Sequence, residues 1–157
     1  MRRRVALILT IALLAGCGSA SHAPPSSHRT ALQRYWLANT RELIATLERD
    51  VLLSAHGGAN VATARRALSN SSDLFGMVIA YTYFAGCHKL LRSFGPPGLA
   101  DEPALVALGS ACTQAEEAAR LFRLAMKRND PRILLSATRA ALAAEPLLVR
   151  AKAELVK

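Results

Sequence analysis

The sequence lacks an apolar run of the length that a transmembrane helix needs. Its two longest apolar stretches are residues 5–14 and residues 74–87. A helix that crosses a bilayer needs about 20 apolar residues, so neither stretch is predicted to be a kept membrane span. We also find no credible β-strand and no convincing internal repeat, which leaves helices as the only regular structure that the sequence predicts.

The sequence also lacks the motifs of familiar enzymes. It has no HExxH, no phosphate-binding GxxxxGK[ST], no GxSxG nucleophile turn and no Glu-x-x-His pair. The triplet His56-Gly57-Gly58 is faintly similar to the oxyanion loop of esterases, but the glycines are explained as the end of a helix. We therefore expect a protein that is not an enzyme and that carries no cofactor.

The start of the chain reads "MRRRVALILTIALLAGC": three arginines, an apolar run and small residues before a cysteine. This order is typical of a secretory signal sequence. Its last four residues resemble the lipobox of bacterial lipoproteins: Leu14, Ala15, Gly16 and Cys17. The resemblance covers only the leader, and it implies cleavage before Cys17 and attachment of a diacylglyceryl group to the thiol.

A lipobox divides the chain into a cleaved signal peptide (1–16), an acylated cysteine with a flexible tether (17–29) and a helical bundle domain (30–157). Two or three acyl chains, palmitate among them, hold a protein firmly on a membrane, whereas one chain is a marginal anchor. Gly18 stands where aspartate is associated with retention in the inner membrane. We therefore expect the outer membrane if the host has one, and otherwise the outer face of the cell membrane.

The charge of the mature chain is moderate. Without the three leader arginines, 17 Lys and Arg face 11 Asp and Glu, so the whole-chain isoelectric point of about 10.3 overstates its basicity. The balance is compatible with anionic lipid headgroups or cell-wall polymers, but the dispersed, mixed charges favour solvated helix surfaces. Export and scattered charge argue against nucleic acid. His22 and His28 in the tether are explained by linker composition rather than by metal binding.

Four segments show helical periodicity. They cover about 30–54, 60–94, 101–129 and 130–157, and they are separated by Gly57-Gly58, by Gly95-Pro96-Pro97-Gly98 and by the N-cap signal Asp130-Pro131. Short connections between four helices predict an all-α, antiparallel up-down four-helix bundle with one inter-helix disulfide.

Two details of the segments lead to further expectations. The second segment has a weak point at residues 69–72, and its stretch 74–87 is apolar nearly all round, which predicts burial on several sides. Pro146 interrupts the fourth segment, but the apolar register continues past it, which predicts one bent helix.

Cys87 and Cys112 remain as a pair once Cys17 carries the lipid. Each lies on the apolar stripe of its helix, and the midpoint between them falls in the turn near residues 95–101. Residues equidistant from the turn of a helical hairpin lie opposite each other, and an exported protein meets an oxidising compartment. We therefore predict a Cys87–Cys112 disulfide, which would stabilise the fold by about 3 kcal/mol.

Other roles for the neighbourhood of Cys87 are less well supported. "FAGCH" resembles the haem-attachment motif CxxCH of c-type cytochromes, but Phe84 replaces the first cysteine. A metal site of Cys87, His88 and Cys112 needs free thiolates and a further ligand that is not visible. His88 is expected to be a surface or partly buried residue near a helix C-terminus.

The sequence thus predicts a lipid-anchored cell-envelope lipoprotein. The membrane is its partner through the acyl chains on Cys17, and its domain is a non-catalytic interaction or binding module for an envelope protein or a cell-wall component. The alternative is an envelope carrier that holds an apolar ligand or haem around Phe75, Tyr81 and Phe84. An enzyme is the least supported hypothesis.

Overall fold

A computed structural model of the protein describes residues 30–155, and this part of the chain is all-α without a strand. Its α-helices are α1 (Ala31–Ser54), α2 (Val61–Ser69), α3 (Ser71–Phe84), α4 (Cys87–Ser93), α5 (Glu102–Arg128), α6 (Pro131–Leu142) and α7 (Glu145–Glu154), with short 3-10 turns at Ala55–Gly57 and Leu99–Asp101. The predicted all-α class is confirmed. The signal peptide, Cys17, His22 and His28 lie outside the described residues.

The first predicted segment is the single helix α1. Thr30 and Gln33 form a capping box at its start: the Gln33 amide donates to Thr30 Oγ1 at 3.2 Å, and the Thr30 amide donates to Gln33 Oε1 at 2.9 Å. After the 3-10 turn, Gly58 has a φ of 88°, a conformation that residues with a Cβ rarely adopt. The predicted helix end at the two glycines is therefore confirmed.

The second predicted segment is divided into α2, α3 and α4. Asn70 stops α2 and caps α3, since its side-chain oxygen accepts from the Ser72 and Asp73 amides at 3.0 and 3.4 Å. The weak point at residues 69–72 is thus a real break. A second break at Ala85 and Gly86 was not predicted. It turns the chain by 46° between α3 and α4.

No single helix in the described part of the chain is long and apolar enough to cross a membrane. Among residues 30–155, the bent pair α3 and α4 taken together reaches the length and apolar composition of a membrane span, and nothing beyond length and composition supports such a span.

The fourth predicted segment is two helices, α6 and α7, rather than the one bent helix that we expected. Pro146 has no amide hydrogen to donate to the carbonyl of Leu142, so the helical ladder stops there. Asp130 caps α6 by accepting from the Arg132 amide at 2.8 Å. The apolar register nevertheless continues across the break, because Ala141, Ala144 and Leu148 are all buried.

Helix α5 is the centre of the domain and packs against α3, α4, α6 and α7. Most of its buried residues are alanines, with only Leu108, Cys112 and Phe122 as larger buried side chains. Small residues let neighbouring helix backbones approach closely, and α6 and α7 face α5 with alanines of their own. Helix α1 packs against α3, α6 and α7.

Candidate interaction surface

Helix α3 is apolar on the surface as well as in the core. Its inward face buries Met77, Ala80, Tyr81 and Phe84, but its outward face leaves Phe75 68% and Val78 43% exposed. The prediction of burial on several sides is therefore wrong. The reason is that α3 lies at the outside of the domain, where only one face of a helix meets neighbours.

A groove runs between α1 and the α3–α4 pair. It encloses about 400 Å³, and its lining residues come from both sides: Asn39, Glu42, Leu43, Thr46, Leu47, Arg49, Tyr83, Leu90 and Phe94. Tyr83 is 54% exposed and Leu90 is 45% exposed. We call this groove the α1–α3–α4 surface.

Charged groups border this groove along α1. Glu42 and Arg49 are seven residues apart, so they lie on the same side of the helix about two turns from each other. Arg49 is also tied to the interior, because its Nε and Nη2 atoms donate to Asp50 Oδ1 at 3.1 and 3.0 Å. The groove exposes polar and apolar surface in about equal parts, which is suited to an amphipathic ligand.

Asp50 lies beneath Arg49 with a fully buried side chain. Its Oδ2 atom has no hydrogen-bond partner within residues 30–155. Burial raises the pKa of Asp50, and the hydrogen bond and the charge of Arg49 oppose that rise. Sequence analysis missed this residue, although its spacing of three from Leu47 and four from Ser54 places it on the inward face of α1.

Tyr81 and Phe84, proposed for a carrier, are packed in the core. The Tyr81 ring stacks on Phe122 with centroids 4.3 Å apart and meets Phe84 edge-on at 5.6 Å. Burial raises the pKa of Tyr81 to about 12, partly opposed by hydrogen bonding with Thr138 and Ser54. Phe75, the third residue proposed to hold an apolar ligand, lies on the surface instead.

The Cys87–Cys112 disulfide is present, as predicted, and both cysteines are buried. It joins the first residue of α4 to the middle of α5. Because both sulfur atoms are in the disulfide, neither is a thiolate for a metal or a haem link. Within the described part of the chain, no three His, Cys, Asp or Glu residues are grouped so that they could hold a metal ion.

His88 lies in the first turn of α4, not near the helix C-terminus that we expected. The break at Ala85 and Gly86 starts a new helix just before it. Glu116 of α5 accepts from the His88 backbone amide at 2.9 Å, and its other oxygen lies 3.1 Å from His88 Nδ1. The His88–Glu116 pair therefore adds a polar link beside the disulfide.

Glu116 thus pairs with His88, whereas Glu117 pairs with Arg120. Two hydrogen bonds of 2.7 and 2.6 Å join the Glu117 carboxylate to the Arg120 guanidinium. The two residues of this surface pair are three apart, a separation at which side chains meet on a helix.

The His56-Gly57-Gly58 triplet has a packing role. His56 Nδ1 lies 3.5 Å from Asp73 Oδ1, and a Cβ atom on Gly57 would overlap Thr138 Oγ1. Gly57 is required because the 3-10 turn approaches α6 too closely for any side chain. The arrangement explains both glycines without an oxyanion loop.

Comparisons with protein-family models, with curated proteins and with solved structures give no significant match to this chain. The functional argument therefore depends on the residues and their geometry.

Proposed function

We propose that the protein is a lipid-anchored bacterial cell-envelope lipoprotein whose helical domain is a non-catalytic interaction module. The lipobox residues Leu14 to Cys17 support the anchor. The α1–α3–α4 surface is the observation that carries the interaction role. The partner is an envelope protein with an apolar helix, and the chain lies on the outer membrane where the host has one.

The exposed residues of this surface support a protein partner. Single exposed apolar residues are normal on any protein, but neighbouring ones mark interaction sites. Tyr83 and Leu90 are both about half exposed, and both line the groove. Aromatic side chains such as Tyr83 are frequent among the residues that dominate binding energy.

The dimensions of the groove favour a helical ligand. Its lining residues on α1 extend from Asn39 to Arg49, which is about 15 Å along a helix axis. A partner helix of about ten residues covers that length. Glu42 and Arg49 at the rim favour a ligand with a basic and an acidic residue about two turns apart, flanking its apolar face.

We also propose that the helices are arranged as an up-down four-helix bundle whose second and fourth members are interrupted. Chain neighbours support this arrangement: α1 packs against α3, α3 against α5, α5 against α6 and α7, and α7 against α1. Spin-label distances between the ends of α1, α3, α5 and α7 would test it. Parallel rather than antiparallel neighbours would contradict the proposal.

Replacing Cys17 by serine tests the anchor. We expect Cys17→Ser to abolish both acylation and cleavage before residue 17, because the lipid is attached through the thiol. Mass spectrometry of the protein from its bacterial host measures both. A cleaved, lipid-labelled chain in the variant would show that the thiol of residue 17 is not the anchor.

Site-specific photo-cross-linking tests the interaction surface. We expect p-benzoylphenylalanine at Tyr83 or Leu90 to form an adduct with the same envelope protein. The matched control is Val106, which is 68% exposed on α5 and does not line the groove. Adducts of equal yield at position 106, or none at 83 and 90, would contradict the proposal.

A binding measurement with the protein identified in this way makes the test quantitative. Loss of an interface anchor costs more than about 1 kcal/mol, so we expect Tyr83→Ser and Leu90→Ser each to raise the Kd about tenfold. Val106→Ser should leave the Kd unchanged, and all three variants should unfold at wild-type temperature. A loss of affinity that matches a loss of folded protein would count against a binding role.

A further inference from the structure

A second group of exposed apolar residues lies at the end of the domain where the described chain begins. Leu32 is 79% exposed, Tyr35 is 55% exposed and Leu99 is 87% exposed. We call these three residues the apolar tip. Leu32 and Tyr35 are in the first turns of α1, and Leu99 starts the 3-10 turn before α5.

The tip is held together by direct packing of two segments. A Cβ atom on Gly98 would lie 2.8 Å from Gln33 Nε2 and 3.2 Å from Asp101 Oδ2. Residues 98 and 33 are therefore in close contact, and each has a tip leucine as its chain neighbour. The Thr30–Gln33 capping box fixes the first turn of α1, so Leu32 is presented from an ordered helix.

The position of the tip relative to Cys17 identifies what covers it. Residues 18–29 are all that separate Cys17 from Thr30, and twelve residues span at most about 40 Å. Helix α1 has 24 residues and is about 36 Å long. The tip adjoins the attachment point of this tether and so stays within about 40 Å of the anchor, while Leu52 lies about 30 Å farther along α1.

We infer that the apolar tip inserts into the headgroup region of the bilayer that holds the acyl chains. This inference rests on the proposed lipid anchor and adds an orientation to it. Tyrosine is enriched at the membrane interface, where its ring is in apolar surroundings and its hydroxyl is wet. The anchor keeps the bilayer at high effective concentration, so a few apolar side chains are enough for a stable contact.

Charge at this end is compatible with a lipid surface. Arg34 on α1 and Arg92 on α4 are exposed there, and Arg92 lines a shallow groove with Pro96 and Pro97. Glu102 is an exposed acidic residue at the start of α5. Because basic and acidic residues are mixed at this end, apolar contact rather than attraction to anionic lipid is the main contribution to membrane binding. The membrane contact would leave the α1–α3–α4 surface accessible from the side.

Fluorescence quenching in vesicles tests the orientation. The acylated full-length protein carrying Leu99→Trp is reconstituted in vesicles of phosphatidylethanolamine and phosphatidylglycerol with brominated acyl chains. The matched control is Val149→Trp, since Val149 is also exposed and lines a groove with Leu52. The native Trp36 is buried and contributes equally to both variants. We expect Trp at 99 to lose most of its emission and Trp at 149 to lose almost none.

Tyr35→Trp is a second reporter of the same contact, and its emission should fall with that of Leu99→Trp. Mass spectrometry of each reconstituted sample reports the acylation of Cys17. An unacylated Cys17 would overturn both the anchor and the tip contact. An acylated chain in which positions 35 and 99 are no more quenched than position 149 would overturn the tip contact alone.

Discussion

Asp50 has a fully buried carboxylate of which one oxygen receives hydrogen bonds from Arg49. The other oxygen has no donor in the described part of the chain. Within residues 30–155, Trp36 Nε1 and Thr40 Oγ1 are likewise buried without a hydrogen-bond partner. A buried polar atom without a hydrogen bond costs about 1–3 kcal/mol, and more when it is charged. These unpaired polar atoms therefore offset part of the stability that comes from burying the inward faces of their helices.

Asp50→Asn should stabilise the protein at neutral pH. The folded-state pKa of Asp50 is raised, chiefly by burial, so the protonated side chain fits the fold better than the carboxylate. Its contribution to stability is present below the ordinary pKa of 3.8 and is lost as pH rises through the raised value. Urea unfolding of both proteins from acidic to neutral pH should show an advantage of the variant that grows with pH.

The control for this prediction is Glu42→Gln, which removes an exposed carboxylate from the same helix. It should not reproduce the gain at neutral pH. A wild type that is more stable than Asp50→Asn at neutral pH would show that the Arg49–Asp50 contact outweighs the cost of burial.

The boundaries of the elements depend on a few polar residues and on turns. Asn70 ends α2 and caps α3, while Asn129 ends α5 in a left-handed conformation with a φ of 49°. Asparagine suits both places, because it is a good N-cap and tolerates positive φ. The break between α3 and α4 turns the chain by 46°, and Tyr83 of α3 and Leu90 of α4 line the same groove.

Asn70→Ala should destabilise the domain by about 1 kcal/mol, because the first-turn amides of α3 lose their acceptor. Thermal or urea unfolding measures the effect. Asn70→Asp is the matched control and should retain most of the stability, since a carboxylate accepts the same hydrogen bonds. Equal losses in the two variants would mean that the cap contributes little.

At the scale of the whole molecule, two links hold α4 on α5. The disulfide covalently joins positions 25 apart in the sequence, and the His88–Glu116 pair lies beside it. Helix α4 has seven residues, of which only Cys87 and Leu91 are buried. So short a helix has little buried surface of its own, and these links position it next to the groove.

Replacing both cysteines by alanine should lower the free energy of unfolding by about 3 kcal/mol, since the unfolded chain regains the entropy of an open loop. Guanidinium unfolding of the Cys87→Ala, Cys112→Ala protein measures this loss. Wild-type protein treated with reductant is the control and should lose a similar amount. Unchanged stability in both would show that the disulfide adds no net stability to the fold.

The sequence by itself determined the all-α class, the ends of α1 and the disulfide. Helical periodicity and caps act locally, and the disulfide was predictable because Cys87 and Cys112 face inward at equal distances from one turn. The tether and the lipid anchor at Cys17 stay predictions from the leader sequence.

Only the tertiary structure decided which apolar faces are buried. Composition alone did not distinguish the buried face of α3, with Met77 and Phe84, from the exposed face with Phe75 and Val78. The second break at Ala85 and Gly86 and the pairing of His88 with Glu116 were likewise decided by packing. The physical reason is that burial and long-range pairing depend on what lies opposite a residue, and this is known only after the helices have packed.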